Sequence, residues 1–289
     1  MAAMLVYTSA YAKLNVFVSI LPQKYFVEKI AGEKAEISVM VAPGASPAVY
    51  EPKPKQMAKL SKADIYFSIG VPFEKIWLDK FGNLSPNMKI VRTDEGIAKR
   101  VVEKHHHHEE DAHEHEDEGH HDEHHDDHGE EQGKDPHIWL SPDLVKIQAE
   151  KIAKTSIDFD PKNREMYQNN LKEFHKEIDA TDAKIKKIVD EHTSFMVFHP
   201  SWGYFADQYH LEQIPVELEG KAPKPAQLKE FIETAKRLKL KAIFIQPQFS
   251  EKSAKVIAKE TGAKVIAVDP LAEDWSDNLV KAAKIISGK

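Results

Sequence analysis

The chain of 289 residues has room for one large or two ordinary domains. Hydrophobic residues at 41% can fill real cores, no run approaches the ~18 apolar residues of a membrane span, and the lack of cysteine excludes thiolate metal sites, disulfides and thiol catalysis. The formal charge is −7, and no basic stripe with interleaved aromatics occurs, which argues against nucleic acid as a partner.

Residues 1–12, MAAMLVYTSAYA, read as the end of a signal peptide. Ala10-Tyr11-Ala12 forms an A-x-A cleavage site, and Met4 to Tyr7 supply the tail of an apolar core. An exported chain beginning near Lys13 is expected, with the natural start lying upstream because no positive segment precedes the apolar one. A frayed cytosolic N-terminus is the alternative.

From Lys13 onward, short β-rich runs alternate with helical stretches. The strands predicted in the first half are Leu14–Ile20, Glu36–Val41, Ile65–Gly70 and Lys89–Thr93. Helical patterns cover Pro22–Ala31 and Lys55–Lys62. The second half repeats the alternation, with strands Ser194–His199, Leu211–Leu218, Lys241–Gln246 and Lys264–Asp269 and helices Pro225–Lys239 and Ser250–Thr261. Near-continuous apolar strands separated by helices predict parallel sheets covered on both faces. The fold class is therefore α/β, with two similar lobes: residues 13–150 and 194–289.

Between the lobes, Tyr167, Leu171, Phe174, Ile178, Ile185 and Ile188 recur at helical spacing. Asp160-Pro161 supplies an N-cap and first-turn proline. One long rigid helix over residues 160–191 is expected to brace the lobes, about 45 Å in length.

The charge is concentrated in one place. Residues 103–131 hold 14 acidic residues and one basic residue, a charge of −13, which leaves +6 for the rest of the chain. Within this stretch stand 11 of the 16 histidines: His105, His106, His107, His108, His113, His115, His120, His121, His124, His125 and His128. No apolar period runs through it, so residues 103–133 are expected to be a disordered loop in the first lobe. Imidazoles among carboxylates attract zinc, copper or nickel. The alternative is a solvated acidic loop with incidental histidines.

Three strands of the second lobe end in a polar residue followed by proline: His199-Pro200, Gln246-Pro247 and Asp269-Pro270. A residue before proline is driven to extended backbone, and open α/β sheets bind ligands beyond the carboxyl ends of their strands. His199, Gln246 and Asp269 are candidates to converge there, and His137 of Asp135-Pro136-His137-Ile138-Trp139 faces them from the first lobe. Singly, each such residue would read as a turn or cap. Gln246 reads equally as a group behind the ligands or as a mere strand end. Trp202, Tyr204 and Phe205 read as helix packing, and His175, His192 and His210 as surface residues.

Taken together, these motifs resemble the zinc-binding subunit of high-affinity zinc ABC importers, within the zinc and manganese solute-binding proteins. The likeness runs from Lys13 to the C-terminus. It rests on Pro43-Gly44-Ala45-Ser46-Pro47, Tyr50-Glu51-Pro52, the histidine-rich insertion, Asp135-Pro136-His137-Ile138-Trp139, His199-Pro200, Gln246-Pro247-Gln248-Phe249-Ser250 and Asp269-Pro270-Leu271. The resemblance implies a metal site between the lobes, with His137, His199 and Asp269 as ligands. It implies Zn(II) as the carried ion, a periplasmic location, and an inner-membrane ABC permease as partner; a monomer without catalytic activity is expected. The family's further histidine, between Pro47 and Tyr50, is replaced by Ala48. Water, Glu51 or a loop histidine are the candidates to fill that place. Two histidines and a carboxylate also suit Fe(II) and suit manganese less, and the histidine-rich loop favours zinc. The rival readings are a metal-dependent hydrolase with an open His/His/Asp site, and a zinc buffer or adhesin.

Overall fold

Runs such as Ile65-Tyr66-Phe67 and Met196-Val197, buried on both faces, form strands because no solvent face is left for an amphipathic alternation. The computed structural model describes residues 13–101, 133–217, 223–240 and 242–289. The first sheet contains β1 (Leu14–Val18), β2 (Ala35–Val39), β3 (Ile65–Ser68) and β4 (Lys89–Arg92) in the order β2-β1-β3-β4. The second contains β5 (Ser194–Val197), β6 (Glu212–Pro215), β7 (Ala242–Ile245) and β8 (Lys264–Ala267) in the order β6-β5-β7-β8. Every pairing is parallel, as strands joined through helical crossovers must be. All eight strands stand where the sequence predicts them, and the two lobes share one topology.

Each strand stops short of its predicted end. β5, β7 and β8 finish at Val197, Ile245 and Ala267, one or two residues before His199, Gln246 and Asp269. The prolines that follow cannot donate to a ladder, so the polar residues lie in loops just beyond the strand ends.

The crossovers are α1 (Leu21–Ala31), α2 (Pro54–Leu60) and α3 (Glu74–Leu84) in the first lobe, and α6 (Gly203–Gln208), α7 (Pro225–Arg237) and α8 (Lys252–Thr261) in the second. Between the lobes run α4 (Pro142–Phe159) and α5 (Arg164–Lys186), and α9 (Trp275–Ile286) closes the chain. The long helix differs from expectation at both ends. Pro161–Asn163 forms a tighter 3-10 turn and the helix stops at Lys186, so its 23 residues span about 34 Å. Its stripe is as predicted, with Tyr167, Phe174, Ile178 and Ile185 buried. α4, which was not foreseen, packs along α5; Ser141 caps it by accepting from Leu144 N–H at 3.3 Å, and Pro142 opens its first turn.

One continuous apolar core includes the first sheet, α4, α5, α9 and the inner side of the second lobe. Phe26 of α1, Phe174 of α5 and Trp275 of α9 meet there, the Phe26 and Trp275 rings edge to face at 5.6 Å and the Phe26 and Phe174 rings at 5.9 Å. A smaller cluster around Met196, Phe231, Ile243 and Ile257 fills the outer side of the second lobe. The lobes are thus welded along a shared core. Among the described residues no helix is long and apolar enough to cross a membrane. The signal-peptide segment 1–12 and the histidines His105 to His128 lie outside the described residues.

Candidate metal centre

His137 and His199 come from different lobes and face one another, their ring centroids 5.3 Å apart and their planes at 70°. His137 is placed by Trp139, two residues on. That indole is buried, donates from Nε1 to the carbonyl of Pro270 at 2.7 Å, and its own carbonyl accepts from Trp275 Nε1 at 2.6 Å. Two indole N–H groups therefore tie the His137 segment to the segment that follows Asp269.

His199 lies two residues past β5. Gln246, 1% exposed, accepts from its backbone N–H at 3.2 Å and donates to its carbonyl at 2.7 Å and to Ser201 Oγ at 3.1 Å. Gln246 is thus a clasp for the loop that carries the histidine, and Phe249 stacks on the imidazole with centroids 4.9 Å apart.

Behind each ring stands a buried carboxylate. Asp135 Oδ1 takes both the backbone N–H of His137 at 2.9 Å and its Nδ1 at 2.6 Å. Glu217 Oε1 pairs with Nδ1 of His199 at 2.6 Å. Both rings are held by one edge, which leaves Nε2 as the nitrogen available to an ion.

A clamp reaches from Asp135 into the second lobe. Arg100 Nη1 lies 3.9 Å from Asp135 Oδ2, and Arg100 Nε lies 3.2 Å from Asp207 Oδ2 on α6. The Tyr204 hydroxyl donates to the carbonyl of Asp135 at 2.9 Å and accepts from the N–H of Arg100 at 3.0 Å. Burial pushes this phenol up to about 12, so it keeps its proton and can do both. Gly203 leaves room for this guanidinium, since a Cβ there would stand 1.5 Å from Arg100 Nη1 and displace it. Val101 and Lys134 pair in an antiparallel bridge beside this clamp, so the two roots of the histidine-rich insertion are joined next to the site.

The remaining candidates are placed less directly. Asp269 Oδ1 accepts from Gln248 Nε2 at 3.1 Å and from Leu271 N–H at 2.9 Å. Ala48 is exposed on the turn before Tyr50, its N–H donating to Ser46 Oγ at 3.3 Å, and Glu51 is also exposed. The structure brings His137 and His199 together; among the described residues no group of three His, Asp or Glu side chains forms a closed metal cage. Trp202, Tyr204 and Phe205 pack as expected. His192 and His210 are exposed, whereas His175, read from sequence as a surface residue, is half-buried, with its Nε2 buried without a partner among the described residues.

At the matching edge of the first lobe, Glu74 is 2% exposed and accepts from Ile69 N–H at 3.0 Å, from Gly70 N–H at 2.7 Å and from the Ser19 hydroxyl. Burial outweighs these donors and lifts its carboxyl to about 7. The turn that it holds leads to Phe73, whose N–H donates to Pro47 at 3.2 Å and whose ring meets Tyr50 at 5.9 Å, on either side of Ala48.

Sequence reasoning missed Arg100 and Glu217. Glu217 follows β6 by two residues, as His199 follows β5 and Asp269 follows β8, so the strand-end rule could have found it. No proline marks it, however.

Residues 16–287 match the family described as zinc-uptake complex component A, periplasmic. A solved structure described as the crystal structure of ZnuA is similar at 41% identity and a TM-score of 0.83, over 96% of this chain and 98% of that one. A 138–173 deletion mutant of ZnuA with zinc bound is similar at 41% identity and a TM-score of 0.82, over 95% and 97%. The zinc-binding lipoprotein AdcA of Streptococcus pneumoniae serotype 4 is 28% identical over 95% of this chain, which spans about half, 53%, of that relative's length. With nearly the whole chain matched, it belongs to the family of periplasmic zinc-uptake complex component A.

Proposed function

We propose that the chain is an exported, periplasmic solute-binding protein that captures Zn(II) between its lobes, 13–150 and 194–289, and passes it as a monomer to an ABC permease of the inner membrane. His137, His199 and Asp269 are its ligands in this reading. The observation that carries it is the pair of imidazoles from different lobes, 5.3 Å apart, each gripped at Nδ1 by a buried carboxylate. Two nitrogens and one carboxylate oxygen suit zinc better than manganese, which favours more oxygen donors. The ligand set leaves room for a further donor, from water, Glu51 or a histidine of the insertion, where Ala48 stands.

The ion undergoes no chemistry. Asp135 and Glu217, the carboxylates that hold the histidines, are committed to the Nδ1 edges, behind the rings, where neither can take a proton from water bound to the ion. The indole seam and shared core restrict the lobes to small movements, so release is expected through local loosening at the loops rather than by wide hinge opening.

Competition titration of His137→Ala and His199→Ala tests the reading. Each should weaken the tightest zinc site by more than about a hundredfold, since changes behind a ligand alone cost about 10–100-fold. Unchanged affinity in both variants would overturn the assignment.

A further inference from the structure

Among the described residues, the side chain of Glu217 has one polar partner, His199. Its side chain is 4% exposed, and a buried carboxylate is costly unless it is fully partnered. Oε1 has Nδ1 of His199; Oε2 is buried and finds no partner among the described residues. Its ion-pair partner among those residues is His199 alone. Asp135 differs, because Arg100 offsets its charge at 3.9 Å.

The placement follows from strand register. Val197 pairs with Pro215 at the ends of β5 and β6, and the backbone continues side by side, with Glu217 N–H donating to Phe198 at 2.9 Å. His199 and Glu217 each lie two residues beyond that pair, so their side chains emerge as neighbours on one face.

The geometry assigns Glu217 as a positioning and affinity-setting residue for a divalent cation at His199. It accepts the Nδ1 proton, which fixes the tautomer that offers Nε2 to the cleft. It also sets a buried negative charge, matched by no cation among the described residues, one imidazole away from the ion, where an arriving dication would offset it. This deepens the zinc-capture reading and rests on His199 being a ligand.

A residue kept for stability and one kept for the ion respond differently to Glu217→Gln. The amide keeps the shape and removes the charge, so the metal-free protein should melt no lower than the unsubstituted chain, while zinc affinity in competition titration falls about 10–100-fold. In the unsubstituted metal-free protein, histidine ¹⁵N spectra should show His199, identified by its loss in His199→Ala, protonated at Nδ1 and bare at Nε2. Glu217→Gln should disperse that signature. Affinity within about threefold of the parent would overturn the inference, as would an Nε2–H tautomer in the parent, a readout that stands even if the variant does not fold. Loss of melting temperature with unchanged affinity would overturn it too, by making Glu217 purely structural. His199→Ala separates the two levels: if that change leaves zinc binding intact, the zinc-capture reading itself fails; if it abolishes binding while Glu217→Gln does not weaken it, only the role of Glu217 fails.

Discussion

Replacing Glu74 by glutamine should change how stability depends on pH, by an amount that follows from its burial. The carboxyl stands at about 7 in the folded chain against an ordinary 4.5. Burial is the main cause and the nearby charge of Asp94 adds to it, while Ser19 and the N–H groups of Ile69 and Gly70 oppose it. Tyr66, the other titratable group in contact through Ser19, keeps its proton, because burial holds it well above 10. Between the two values the unfolded chain has released the proton that the folded chain still holds. Folded stability from this group is therefore present below about pH 4.5 and is lost as pH rises through about 7. At about 1.4 kcal/mol per pH unit the full loss approaches about 3.5 kcal/mol, of which about 2.5 falls between pH 5 and pH 8. Urea unfolding of the metal-free protein and of Glu74→Gln at those two pH values measures it, other groups cancelling in the comparison. The parent should lose about 2.5 kcal/mol relative to the variant on going from pH 5 to pH 8. Parallel behaviour would refute the reasoning, and would mean that the three donors hold the carboxylate ionised despite burial.

Three other changes probe the site from different sides. Ala48→His should supply a further imidazole and slow zinc release under chelator challenge by at least about tenfold, or about 1.4 kcal/mol; equal rates would show that another side chain already serves there. Gly203→Ala forces Arg100 away from Asp135 and Asp207. It should cost about 1–3 kcal/mol in urea unfolding, through a buried carboxylate left without its cation, and should weaken zinc binding, so a variant unchanged in both has no clamp to lose. Deleting residues 104–133 leaves two residues to join Val101 to Lys134 across their antiparallel bridge, a length that hairpins favour. Zinc stoichiometry at about pH 7.5 should fall to one tight site, while in the intact chain acidification to about pH 5.5 should empty the histidine-rich segment first, because free imidazoles near 6.5 lose to protons sooner than preorganised ones. Loss of the tight site on deletion would show that the insertion supplies an essential ligand.

How far the sequence could be read depended on whether the deciding interaction was local. Ile65–Ser68 and Ala242–Ile245 are apolar runs between helical patterns, and they form the strands expected of them. His199 and Asp269 could be singled out because proline ends a ladder, and that rule is written in adjacent residues. Arg100 carried no such mark: the Tyr204 hydroxyl that receives its N–H stands 104 residues away, and nothing near Arg100 announces it. The same holds for Trp139 and Trp275, whose indole bonds bind the lobes across 131 and 136 residues. His175 misled although Leu171, Phe174 and Ile178 stand beside it on α5: it lies at the border of that apolar stripe, where one face of the ring is covered and the sequence pattern alone does not say which. Glu217 lies between these cases. Its distance past β6 was readable, but its partner depended on which residue of β5 stands opposite, and a slip of one residue would turn it to the other face. The ligands of an α/β edge are thus found from the ends of single strands, whereas the groups behind them are found only from the register between strands. That order matches the physics: an imidazole at a strand end can meet an ion wherever the chain leaves the sheet, but a carboxylate supports that imidazole only when both strands stop in step.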